Sequence, residues 1–104
     1  MSTIPLASRR LVANRYAKRC AHCGMGASGG HWHHRRSRAV VDDHTHCPCN
    51  GVWLCGMCHA WAHAQPTKAR EEGFVVSRYE AEPFTVPITT PWGVRTHDCR
   101  GVSL

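Results

Sequence analysis

Two Cys-x-x-Cys pairs, Cys20–Cys23 and Cys55–Cys58, constrain this chain more than any other feature. Each pair sets two thiols on one tight turn, and together they make the four thiolates that a tetrahedral zinc ion takes. A four-thiolate shell is closed, with no position left for water or substrate, so such a zinc is structural. The chain has 104 residues, which is one small domain. At that size the core is modest relative to the surface, and metal binding supplies folding free energy directly. The cysteine count, 7, is odd, and the stretch from Met1 to Arg10 has no apolar core of a secretion signal. A disulfide framework is therefore disfavoured, and a reducing cytoplasm is the expected setting. Redox-active or simply buried thiols are the competing explanation. Cys47 and Cys49 stand one residue apart and leave three options open: replacing one knuckle, binding a second metal, or no role. Cys99 reads as an unpaired thiol.

Charge narrows the partner. Lys and Arg number 13 against 7 Asp and Glu, a formal charge of +6 with His neutral. A polyanion, first of all nucleic acid, suits that balance, although a basic domain can also be merely well solvated. Hydrophobic residues at 42% exclude wholesale disorder, and no apolar run is long enough to span a membrane.

The chain divides into a loose leader (1–8), a core (9–79) and an extended C-terminal segment (80–104) within a single domain. RRLVANRYAK, 9–18, reads as a short basic helix. Its arginines Arg15 and Arg19, with Arg9, Arg10 and Lys18, are candidate contacts to a DNA backbone, or an ordinary solvated face. A short strand is expected within 31–41, a second at 52–54, and a knuckle running into a helix at 55–64. Pro66 opens a further helix that Gly73 ends. FVVSRY, 74–79, reads as a strand, and the proline-rich remainder as extended edges or loops. The class is small α+β, with short flanking helices and strands around a zinc knuckle. Trp32, Trp53 and Trp61 are expected in the core.

Histidines carry the chemistry. His59 and His63 are separated by one helical turn and can converge on one metal ion. His33 and His34 are neighbours on a strand and point to opposite sides. One of them can therefore join the helix pair as a ligand while the other is left free to move protons, the division that metal-assisted hydrolysis needs.

The order Cys20-Ala-His-Cys23, His33-His34-Arg35, Asn50, and Cys55-Gly-Met-Cys58-His59 with His63 resembles the HNH endonucleases over about residues 9–79. It looks most like the small zinc-containing HNH proteins of bacteriophages, which are often linked to DNA packaging. The resemblance implies a ββα-metal (His-Me finger) core and DNA phosphodiester hydrolysis. It implies His33, His59 and His63 as ligands of a catalytic ion, with His34 as the general base. Asn50 would brace the loop and so orient that base, and Arg35 and Arg36 would hold a phosphate. Implied cofactors are a structural zinc and one catalytic divalent ion: Zn, Ni, Co or Mn by donor softness, or Mg recruited through substrate oxygens. Implied partners are DNA and phage packaging proteins, with no membrane, for a monomer or weak dimer in the host-cell cytoplasm. The hairpin loop is crowded with His44, His46, Cys47 and Cys49, which depart from the family pattern. His31 is a rival ligand on the His33 side of the strand, and Asp42 and Asp43 match no role. A zinc-finger-like binding module without activity shares the CxxC pairs and the charge, and a packaging scaffold that has lost catalysis is the other alternative. Neither explains why His33, His34, Asn50, His59 and His63 occur together.

Overall fold

The computed structural model of the chain describes residues 3–100. In chain order it contains α1 (Leu6–Asn14), β1 (His31–His34), β2 (Gly51–Leu54), α2 (Gly56–Ala64), α3 (Pro66–Glu71), a 3-10 turn (Pro83–Thr85), β3 (Ile88–Thr90) and β4 (Gly93–Arg95). These make a small α+β arrangement with two two-stranded antiparallel sheets, β1–β2 and β3–β4. Among the described residues no helix is long and apolar enough to cross a membrane.

The first helix begins and ends earlier than the sequence suggests. It starts inside the expected leader, at Leu6 behind Pro5. Beyond Asn14 the chain reverses: Lys18 N–H donates to Ala13 O, and Ala17 and Lys18 both take left-handed backbone angles. Such angles cost a non-glycine residue of the order of 1 kcal/mol each. They turn the chain directly into the first knuckle, where Cys20 N–H donates to Met25 O and Gly24 N–H to Cys20 O.

In the hairpin, His31 faces Leu54, Trp32 faces Trp53, His33 faces Val52 and His34 faces Gly51. The Trp32 ring lies over Gly51 so closely that a Cβ there would fall 2.2 Å from it. Only glycine admits that packing. The second knuckle caps α2: Cys55 precedes the helix and its sulfur accepts from Cys58 N–H at 3.4 Å.

Pro66 occupies the first turn of α3, and Gly73 ends it with φ +85°. Gly73 N–H donates to Arg70 O and Phe74 N–H to Ala69 O, a Schellman closure that drops Phe74 into the core. The expected strand at 74–79 is not formed. Val76 alone makes a bridge, with Arg36. Ser77 then turns the chain, its hydroxyl accepting from Tyr79 N–H and its carbonyl from Glu80 N–H. Cys20, Val52, Leu54, Cys58, Ala62, Ala69, Phe74 and Ile88 pack into one apolar cluster, with Trp53 and Trp61 half-buried against it. Val12, Trp32, Cys49 and Val76 are buried outside that cluster, and beside them lies a polar interior: Arg35, Arg36, Asn50, His33 and His97 are all nearly inaccessible.

Candidate metal centres and the cavity beside them

The two knuckles meet. The sulfurs of Cys20, Cys23, Cys55 and Cys58 lie within 4.8 Å of one another, a cluster positioned to hold a metal ion. For a zinc tetrahedron with Zn–S of about 2.3 Å and Zn–N of about 2.0–2.1 Å, the edges are about 3.8 Å for S···S, 3.6 Å for N···S and 3.3 Å for N···N. The Cys23–Cys55 separation is 3.9 Å. Burial raises the Cys20 thiol, but main-chain hydrogen bonds at Cys23, Cys55 and His22 outweigh it and bring the pKa down to about 7. His22, to which the sequence assigns no role, supports this cluster from outside. Its Nδ1 is 3.2 Å from Cys58 Sγ, its Nε2 is 3.7 Å from a Glu72 carboxylate oxygen, and its ring stacks on Trp61. Carboxylate, imidazole and thiolate in series is the supporting pattern that orients metal ligands. Its only sequence signal is a histidine between the cysteines of a knuckle.

Ring nitrogens of His33, on β1, and of His59 and His63, on α2, also lie within 4.8 Å of one another. The His59 and His63 Nε2 atoms are 3.2 Å apart, one N···N edge of such a tetrahedron. His33 is 3% exposed and its Nε2 is 2.7 Å from Phe74 O. A carbonyl only accepts, so Nε2 carries the hydrogen and Nδ1 keeps its lone pair. Burial, with His59 and His63 nearby, pushes His33 down to about 4 and so keeps it neutral, the form that ligates. Three imidazoles leave at least one coordination position open, unlike the four-thiolate cluster. His31 stacks on His59 at 4.9 Å but lies outside the converging group.

His34 faces away from that trio, as strand alternation requires, and packs against Trp32 at 4.5 Å. Its Nε2 is 3.1 Å from His46 Nδ1. Burial holds it near 4, with His46 and Arg38 adding repulsion, so it is neutral at ordinary pH. Asn50 is fully buried and ties down the loop between β1 and β2. Its Oδ1 accepts from Arg36 N–H at 2.7 Å, and its Nδ2 donates to Arg36 O and Thr45 O. It touches loop backbone and does not line the cavity.

The arginines expected on a phosphate go elsewhere. Arg35 is 1% exposed and donates to four carbonyls, those of Gly73, Cys49, Pro83 and Val86. Arg36 is equally buried and is held by Glu80 O and the Asp42 carboxylate. Arg15 points inward from the end of α1 to Gly51 O, Pro48 O and His97 Nδ1. All three fasten the scaffold: Arg35 and Arg15 satisfy carbonyls that folding withdraws from water, and Arg36 ties Glu80 O to the Asp42 carboxylate. Arg19 stays exposed at the knuckle. Arg35 borders the histidines but its guanidinium is held inward, and the exposed cations beside them are Arg38, Arg70 and Arg78. They line a cavity of ≈ 640 Å³ together with His33, His34, His59 and His63. Arg78 carries no motif and only the fold brings it there.

No known protein family, curated protein or solved structure matches the chain.

Proposed function

We propose that the chain is a metal-dependent endonuclease of the HNH kind that hydrolyses DNA phosphodiester bonds. The observation that carries this reading is a single cavity. It is lined by three converging imidazoles, by a separate neutral histidine, and by four arginines, three of them exposed. The order β1, β2, α2, with ligand candidates on the first strand and the helix, agrees with the ββα-metal arrangement that the resemblance implies. The four-cysteine cluster, whose donors suit zinc, would be the structural ion.

In this reading His33, His59 and His63 hold a divalent ion, which when bound would polarise the phosphate and offset charge on the leaving oxygen. Neutral nitrogen donors favour Zn, Ni, Co or Mn over Mg. His34 works as the general base. With its Nε2–H donating to His46 Nδ1, its Nδ1 takes a proton from water as the water oxygen attacks phosphorus. The bond from phosphorus to the 3′ oxygen breaks and that oxygen takes a proton from solvent, leaving a 5′-phosphate and a 3′-hydroxyl. His46 orients the base, and Asn50 holds the loop that carries His46. Arg38, Arg70 and Arg78 hold backbone phosphates without reading sequence.

A plasmid-cleavage assay with EDTA and metal re-addition tests this. Parent protein should convert supercoiled DNA to nicked or linear forms. His34→Ala should lose ~10²-fold or more in rate while keeping its exchangeable ion, and His59→Ala should lose both. DNA binding with no cleavage under any of Zn, Ni, Co, Mn or Mg would reduce the chain to a binding module.

A further inference from the structure

A third cluster stands apart from both sites. His44, Cys47, Cys49 and Cys99 present four ligand atoms within 4.8 Å of one another. His44 Nδ1 is 3.6 Å from Cys49 Sγ and 3.5 Å from Cys99 Sγ, and the two sulfurs are 4.0 Å apart. These are the N···S and S···S edges of a zinc tetrahedron. One imidazole nitrogen can point a single hydrogen at only one sulfur. Its equal approach to two sulfurs is better explained by a common centre than by a hydrogen bond. The thiols are also not a disulfide, whose sulfurs would be bonded at about 2.05 Å.

We propose that His44, Cys47, Cys49 and Cys99 form a second structural zinc site. Three thiolates and an imidazole fill a tetrahedron, so the site is closed to substrate. The local backbone is folded for it: Cys47 N–H donates to His44 O and Asn50 N–H to Cys47 O, which curls the 44–50 segment around one point. The His44 ring rests on Phe84, which fixes its orientation. Two guanidinium groups are held on the backbone of this segment, Arg35 donating to Cys49 O and Arg15 to Pro48 O, and both would offset the negative charge of three thiolates. The fourth ligand comes from far along the chain. Cys99 follows a segment whose own strands, β3 and β4, are only three residues each. Zinc here would clamp that segment to the loop that holds His46 and Asn50. The inference does not rest on the nuclease reading, because it concerns bound metal alone.

The test is metal content and thiol protection in the full chain made under reducing conditions. After EDTA has removed ions from the histidine site, elemental analysis should find two zinc ions per chain. Cys99→Ser should retain one, and Cys23→Ser, in the other cluster, should also retain one. Cobalt(II) reconstitution of the parent should show thiolate charge-transfer intensity for two sites, and Cys99→Ser should lose roughly the share contributed by three of the seven thiolates. Cys99 is exposed, so without metal it alkylates freely. In the zinc-loaded parent its alkylation, followed by mass spectrometry, should be slower by ~10-fold or more than after zinc is stripped. That measurement needs no variant to fold. A single zinc in the parent, unprotected Cys99, or a Cys49–Cys99 disulfide in freshly isolated protein would overturn the proposal.

Discussion

Replacing Arg35 by Met separates a scaffold role from a phosphate contact. The guanidinium makes hydrogen bonds of 2.7–3.1 Å to four carbonyls on three stretches of chain. Hydrogen bonds to a charged group contribute about 1.5–3 kcal/mol each, so the nominal sum is roughly 6–12 kcal/mol. Two effects reduce it. The bonds share one donor and do not add, and burying the charge is itself costly, as its pKa, lowered to about 10 chiefly by desolvation, records. Methionine also refills part of the space. A net loss of about 3–5 kcal/mol remains, the usual cost of removing one partner of a buried charged network. Against a total stability of roughly 5–15 kcal/mol for a domain this size, that is severe. Urea unfolding of zinc-saturated protein reads it directly. With a slope of about 2 kcal/mol/M, the midpoint should fall by about 1.5–2.5 M. Arg35→Lys should recover only part of the loss, because a single ammonium cannot reach four diverging carbonyls. If Arg35→Met kept the parent midpoint but bound DNA more weakly, the residue would be a phosphate contact and the reasoning from burial would be refuted.

Other outcomes follow from the same geometry. Arg38→Ala, Arg70→Ala and Arg78→Ala should each lower the slope of log K against log salt for duplex DNA by about 1 without altering thermal stability. Gly51→Ala should destabilise by about 1–3 kcal/mol in urea unfolding, because the new methyl collides with Trp32. A chelator strong enough to strip thiolate-bound zinc should abolish helical circular dichroism and cooperative unfolding together. His97 is fully buried and held down to about 3 by desolvation first, with Arg15 adding. An unfolded histidine titrates near 6.5, so below about pH 6.5 the unfolded chain binds a proton the fold refuses, and stability falls by ~1.4 kcal/mol per pH unit toward pH 3. His97→Gln should flatten the pH dependence of the urea midpoint relative to the parent by that slope, and equal slopes in the two proteins would refute the assignment.

What the sequence discloses here is short-range. Cys55, Cys58, His59 and His63 lie within three turns, so spacing alone puts thiols at a helix start and imidazoles along one face. Pro66 and Gly73 mark helix ends because their backbone preferences are local. Direction is harder to read. In His33-His34-Arg35-Arg36 the strand ends at His34. Both arginines then enter the interior, where carbonyls from residues 49, 73, 80, 83 and 86 wait. No local pattern states that these distant carbonyls need donors. The stretch 74–79 looks like a strand by composition, but it has no neighbour to pair with beyond Val76. Cys99 looks solitary because its companions are about fifty positions earlier in the chain.

The polar interior around Asn50, Arg35 and Arg15 has a further consequence. Oily cores accept many shapes of similar volume, whereas groups that must each meet a particular carbonyl tolerate almost no rearrangement. Substitutions among Val52, Leu54 and Ile88 can therefore be exchanged for one another's bulk, while the imidazole cavity keeps its shape only as long as this inner lattice of amides and guanidinium groups stays intact.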